Sequence, residues 1–171
     1  MSVEFSRTEV RDLLVAWLAL GIAFALFLDR SLAFGALRGE VGPFLGAFAR
    51  SLVTVGVGFL LHELAHKVVA VRFGQVAHFR ADYGMLALAI AAGLAGFLFA
   101  APGAVMHRGR ITERENGVIA LAGPAANLGL ASLFFPLSLV GGTLGGIGEL
   151  GVAINLLLAA FNMAPFGPLD D

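Results

Sequence analysis

The chain has 171 residues, of which 58% are hydrophobic and 13% charged, with a formal net charge of −1. Soluble domains carry about a quarter charged residues, so this little charge cannot cover a soluble surface, and the balance lacks the basic patch that a nucleic-acid partner requires. No cysteine is present, which removes disulfides and thiolate metal sites.

The N-terminal segment carries Glu4, Arg7, Glu9, Arg11 and Asp12. No small-residue cleavage site follows its first apolar run, so a removable leader is not expected. A membrane span needs about 20 mostly apolar residues. The first predicted span covers 13–28, between Arg11-Asp12 and Asp29-Arg30. The second covers 44–71, interrupted by Arg50 and by a polar motif near its end; its length predicts a tilted helix with a protruding end. A third apolar run, 85–101, is uncharged but contains Gly93 and Gly96. The fourth and fifth cover 117–140 and 147–164, with Glu149 near the start of the last and a glycine-rich turn predicted at 141–146. Polar connectors fall at 29–43, 72–83 and 102–116. Within them, 75–80 and 104–110 are short and mixed in polarity and predict two strands paired at the membrane surface. The edge of such a pair is a template for an extended peptide. With no internal repeat and no separate soluble region, 1–171 is expected to be a single membrane-embedded domain.

The polar motif is His62-Glu63-Leu64-Ala65-His66. On a helix the two imidazoles lie one turn apart on one face. That spacing can hold one metal ion, usually zinc, with Glu63 beside it as a general base. A catalytic zinc ordinarily takes three protein ligands, and without cysteine the third must be His, Asp or Glu. Ionisable groups in or beside apolar spans are functional candidates by default. The strongest lies in Asn162-Met163-Ala164-Pro165-Phe166-Gly167-Pro168-Leu169-Asp170, where Pro165 and Pro168 break the helix. Glu113, Glu115 and Glu149 are the other candidates, in less specific contexts.

Three segments together, His62 to His66, Gly123-Pro124-Ala125-Ala126-Asn127, and Asn162 to Asp170, resemble the signatures of the site-2 protease family (peptidase family M50). These are intramembrane zinc metalloproteases that cut transmembrane segments, and the resemblance runs from about residue 50 to the end. It implies one Zn²⁺ per chain held by His62, His66 and Asp170, Glu63 as general base, and Asn162 assisting the reacting carbonyl. It also implies a transmembrane protein substrate, a lipid-bilayer setting and a regulatory role through release of membrane-tethered factors. Two departures stand out: Asp171 occupies the family's glycine position, and the chain stops there, whereas family members usually continue. A C-terminally truncated domain is therefore expected.

Ligands of one metal must meet, so the ends of the second and fifth spans must face one side. That requires 85–101 to be re-entrant or interfacial rather than a full crossing. The expected fold is thus an all-α polytopic membrane protein with about four transmembrane helices, one re-entrant or interfacial segment and a small membrane-surface β-hairpin. Arg7 and Arg11 fall on the same side as Lys67, Arg72 and Arg80. By the positive-inside rule that side is cytoplasmic, which sets a multi-pass protein in the cell membrane with its active site nearer the cytoplasm.

Other readings of the same residues remain. His62 and His66 can serve as interhelical polar contacts, Asn162 as a helix-end cap, and Asn127 as a packing and hydrogen-bonding residue. His78 and His107 are expected at the surface. A membrane metal-binding or transport protein, or an inactive scaffold that binds membrane segments, would also place ionisable groups in spans, though neither needs a Glu inside the histidine pair.

Overall fold

The computed structural model describes residues 2–98 and 102–163. Helix α1, Arg7–Leu28, opens at Ser6, whose hydroxyl accepts from the Glu9 N–H. Such a cap satisfies one of the orphan donors of the first turn. Two elements follow at its far end, α2 (Ser31–Leu37) and the start of α3 (Val41–Ser51). The connector expected at 29–43 is partly helical: Leu32, Ala33, Ala36 and Leu37 favour helix and form the turns of α2.

Helix α3 passes through a π turn, Leu52–Gly56, into α4, Val57–Arg72, making one 32-residue rod. In the π turn the Leu52 carbonyl accepts the Val57 N–H, five residues on. Trp17 of α1 adds a second donor: its indole N–H reaches the Leu52 carbonyl at 3.1 Å. A side chain at Gly56 would collide with that indole. The irregular turn just before the H-E-x-x-H motif is thus locked by a neighbouring helix.

Strands β1 (Val76–Ala81) and β2 (Gly103–Arg108) pair antiparallel, from Val76 opposite Arg108 to Ala81 opposite Gly103. The expected ribbon is therefore present, but it is no tight hairpin. Helix α5, Tyr83–Ala95, is inserted between the strands. Its 13 residues give about 20 Å of helix, short of the roughly 30 Å hydrocarbon core. It runs beside α1 in the same direction. The Tyr83 hydroxyl donates to Asp12 near the start of α1, and the Arg30 guanidinium beyond its end donates to the Ala95 carbonyl. Because Ala81 faces Gly103, the segment between them leaves the sheet and returns to it, as a re-entrant element must.

Helix α6, Glu113–Ser138, starts with a capping box between Thr112 and Glu115. Helix α7, Gly142–Met163, returns alongside it. The predicted turn at 141–146 is corrected here: the helix already begins at Gly142. Gly145, Gly148 and Gly151 lie against the Val140 carbonyl, the Ser138 backbone and the Phe134 ring, with no room for a Cβ. Small residues at that interval bring two apolar helices close, so they serve helix contact rather than chain reversal.

Among the described residues, four helices are long and apolar enough to cross a membrane: α1, the α3–α4 rod, α6 and α7. Leu20, Phe24, Val55, Phe59, Phe79, Leu86 and Ile154 form the core. Leu121, Leu133, Phe135, Leu144 and Phe161 are exposed on the outer faces, as suits a lipid-facing surface. The chain is a polytopic, predominantly helical membrane protein with a two-stranded antiparallel sheet.

Candidate active site

Helix α4 presents His62 and His66 toward α6. Their Nε2 atoms lie 2.9 Å apart. The His66 Nδ1 sits 2.7 Å from the Ile119 carbonyl, and the His62 Nδ1 sits 2.5 Å from Asn127 Oδ1. The Asn127 amide is oriented by its own partners, since its Nδ2 donates to the Gly58 carbonyl and to Asn155 Oδ1. Both Nδ1 atoms therefore face acceptors and carry the ring protons. The Nε2 lone pairs converge. Gly123 of α6 lies where they meet, and a Cβ there would run into both Nε2 atoms.

Glu63 is buried one residue along, beside Val105 of β2. It shares a cavity of about 270 Å³ with His62, Pro102, Gly103, Leu158 and Asn162. The end of α7 therefore reaches α4 at the histidine motif. Asn162 stands on that cavity wall, with its amide donating to the Leu158 carbonyl in its own helix. Asp170 lies outside the described residues. Among the described residues, no third His, Asp or Glu joins the histidine pair in a metal-binding group. Of the other acidic candidates, Glu115 is engaged in the capping box and Glu149 lies near the start of α7, at the opposite end of that helix from Asn162. His78 is exposed as expected, whereas His107 is half-buried and close to His66.

A second layer fixes the sheet. Lys67, next to His66, is buried and donates to both carboxylate oxygens of Glu9 and to the Glu4 carbonyl, all at 2.6 Å. Glu9 also accepts the Phe79 N–H, and Asp12 accepts the Ala81 N–H. These two carboxylates of α1 close the outer edge of β1. In an antiparallel pair, alternate residues point their backbone groups outward. With Phe79 and Ala81 turned out, their partners Val105 and Gly103 turn out on the other edge. That edge of β2 borders the cavity beside Glu63.

Sequence reasoning singled out the histidines, Glu63 and the segment from Gly123 to Asn127, but not Asn155 or the Glu9–Lys67 pair. The signal was present: an Asn or a charged residue in an apolar run needs a partner.

No family model matches the chain, and no solved structure matches it. It is 42% identical over 172 aligned positions to Putative zinc metalloprotease MJ0611 of Methanocaldococcus jannaschii, covering 98% of this chain and 83% of that protein. The chain belongs to this family of zinc metalloproteases. A second relative, Putative zinc metalloprotease YwhC of Bacillus subtilis, is 32% identical over 70% of this chain and 64% of its own length.

The site of this metalloprotease fits a zinc ion. Two nitrogens on one tetrahedral zinc at about 2.05 Å stand roughly 3.3 Å apart, within a few tenths of an ångström of the 2.9 Å observed. Each ring gives its far N–H to an oxygen, the usual arrangement of metal-binding histidines. Gly123 leaves open the space that both lone pairs face.

Proposed function

We propose that this metalloprotease hydrolyses peptide bonds within or near transmembrane segments of membrane proteins, as a site-2 protease-like enzyme. The observation that supports this most is the position of the histidine pair and Glu63: His62 and Glu63 buried and His66 half-buried, on a helix that belongs to a 32-residue apolar rod, against two other membrane-length helices. A water-soluble substrate has no easy route to such a place.

In this reading His62 and His66 hold the metal with Asp170 as third ligand. A bound zinc ion would activate water near neutral pH and polarise the scissile carbonyl. Glu63 faces the same cavity and takes the water's proton, then returns it to the leaving nitrogen. Asn162, on the cavity wall, supports the developing oxyanion. A transmembrane helix hides its carbonyls in its own hydrogen bonds and must unwind before attack. The open edge of β2 at Gly103 and Val105 holds the unwound stretch extended by strand addition. The basic residues Arg7, Arg11, Arg72 and Arg80 lie at the sheet end, so the site lies nearer the cytoplasmic face.

The test is cleavage in liposomes. Purified enzyme is reconstituted with single-span proteins of varied sequence, and cut sites are mapped by mass spectrometry. The expected result is cleavage inside or at the border of the apolar segment, lost in Glu63→Gln. Cuts confined to soluble loops would contradict the intramembrane reading.

A further inference from the structure

Asn155 lies in the middle of α7 and is fully buried, with no direct contact to either histidine. Its side chain is linked to one of them through Asn127. Its Nδ2 donates to the Gly151 carbonyl at 2.8 Å, one turn back in its own helix. That bond turns Oδ1 toward Asn127, which donates to it at 2.8 Å. The second Asn127 N–H goes to the Gly58 carbonyl at 3.1 Å. With both donors used, only Asn127 Oδ1 is left to face His62. Gly58 is part of the device, since a Cβ there would meet the Asn155 amide.

Each bond in this chain has one allowed direction. Gly151 and Gly58 present carbonyls, which only accept. The direction passes from Asn155 to Asn127 to His62 Nδ1, and it places the His62 proton on Nδ1. The lone pair then lies on Nε2, toward His66 and the gap at Gly123. We infer that Asn155 is a positioning residue: by orienting Asn127 it holds His62 in the tautomer that can bind metal.

Replacing Asn155 by Leu removes the acceptor for one Asn127 N–H. The Asn127 amide is then held in its direction by the Gly58 carbonyl alone and turns over more readily to offer an N–H to His62 Nδ1. The ring proton would move to Nε2, the atom meant for the metal. An un-ionised Asp at 155 behaves differently. Its O–H donates to Gly151 and its carbonyl oxygen accepts from Asn127, so the direction of the chain is kept.

This inference rests on His62 being a metal ligand. The experiment is zinc affinity by chelator competition in detergent-purified protein, for the parent, Asn155→Leu and Asn155→Asp. In parallel, ¹⁵N chemical shifts of His62 are read in the zinc-stripped proteins. Outer partners of metal-binding histidines typically change affinity by about 10- to 100-fold. Asn155→Leu is expected to weaken zinc by about 10-fold or more, and Asn155→Asp to stay within about threefold of the parent. The His62 shifts should report an Nδ1–H ring in the parent and in Asn155→Asp, and a mixture in Asn155→Leu. Asn155→Ala serves the same purpose should the leucine variant not fold. Tight binding by the parent that is undiminished in Asn155→Leu, or equally diminished in Asn155→Asp, overturns the inference alone. A folded parent that takes up no zinc overturns the metal reading together with it.

Discussion

The ammonium of Lys67 sits 2.6 Å from each carboxylate oxygen of Glu9, with both side chains sealed from solvent. This pair joins the residue after His66 to the first turn of α1. The Phe5 ring lies under the ammonium at 3.9 Å, and the Phe79 amide uses the same carboxylate. One ion pair thus ties together the motif helix, the N-terminal helix and the sheet.

Removing one partner of a buried pair strands the other charge, at a cost of about 3–5 kcal/mol. Glu9→Ala should lose stability of that order in denaturant titrations in detergent. The double variant Glu9→Leu with Lys67→Met should recover part of it, but not all, because the Phe79 N–H is left without an acceptor. A loss under about 1 kcal/mol in the single variant would show that the pair does not anchor the fold.

Gly123→Ala is expected to block zinc binding without unfolding α6. Alanine favours helix over glycine by about 1 kcal/mol, so the helix itself gains. The new methyl, however, lies against both Nε2 atoms. Zinc analysis beside far-UV circular dichroism checks this. Full zinc content in the variant would mean that the metal does not lie between the histidines and Gly123.

Two prolines placed in β2 should separate substrate docking from folding. Val105 is predicted to point its N–H off the open edge, whereas Met106, opposite His78, points its own toward β1. Val105→Pro should keep fold and zinc and lose cleavage, through a higher KM where docking is lost and a lower kcat where Glu63 loses the Val105 N–H. Met106→Pro removes a ladder hydrogen bond and should destabilise the ribbon. Equal cleavage by Val105→Pro and the parent would contradict strand addition at this edge.

Trp17→Phe keeps most of the packing under Gly56 but takes the donor from the Leu52 carbonyl. The carbonyl keeps the Val57 N–H, so the loss is that of one hydrogen bond, about 0.5–1.5 kcal/mol. A shift of that size in unfolding is expected; no shift would mean that the π turn does not need the indole.

Much of this was legible in the sequence because membrane spans write themselves as long apolar runs. The four membrane-length helices among the described residues, the strand pair and the short apolar helix between its strands all follow from run length and from the need for His62 and the end of α7 to meet. The H-E-x-x-H spacing carries its own chemistry. Other features were hidden for physical reasons. Glycine marks both turns and close helix contacts, so Gly145 looked like part of a turn until its packing against Val140 was visible. The direction of the Asn155–Asn127–His62 chain depends on which carbonyls lie nearby. Glu9 and Asp12 read only as charges of the N-terminal segment ahead of the first predicted span, and the position of β1 shows that they close a strand edge.

The most direct test of the account is zinc per chain in purified parent protein, His62→Ala and Asp170→Asn. The account predicts about one zinc in the parent and a clear loss in both variants. Zinc retained in His62→Ala, or a folded parent without zinc, would contradict it.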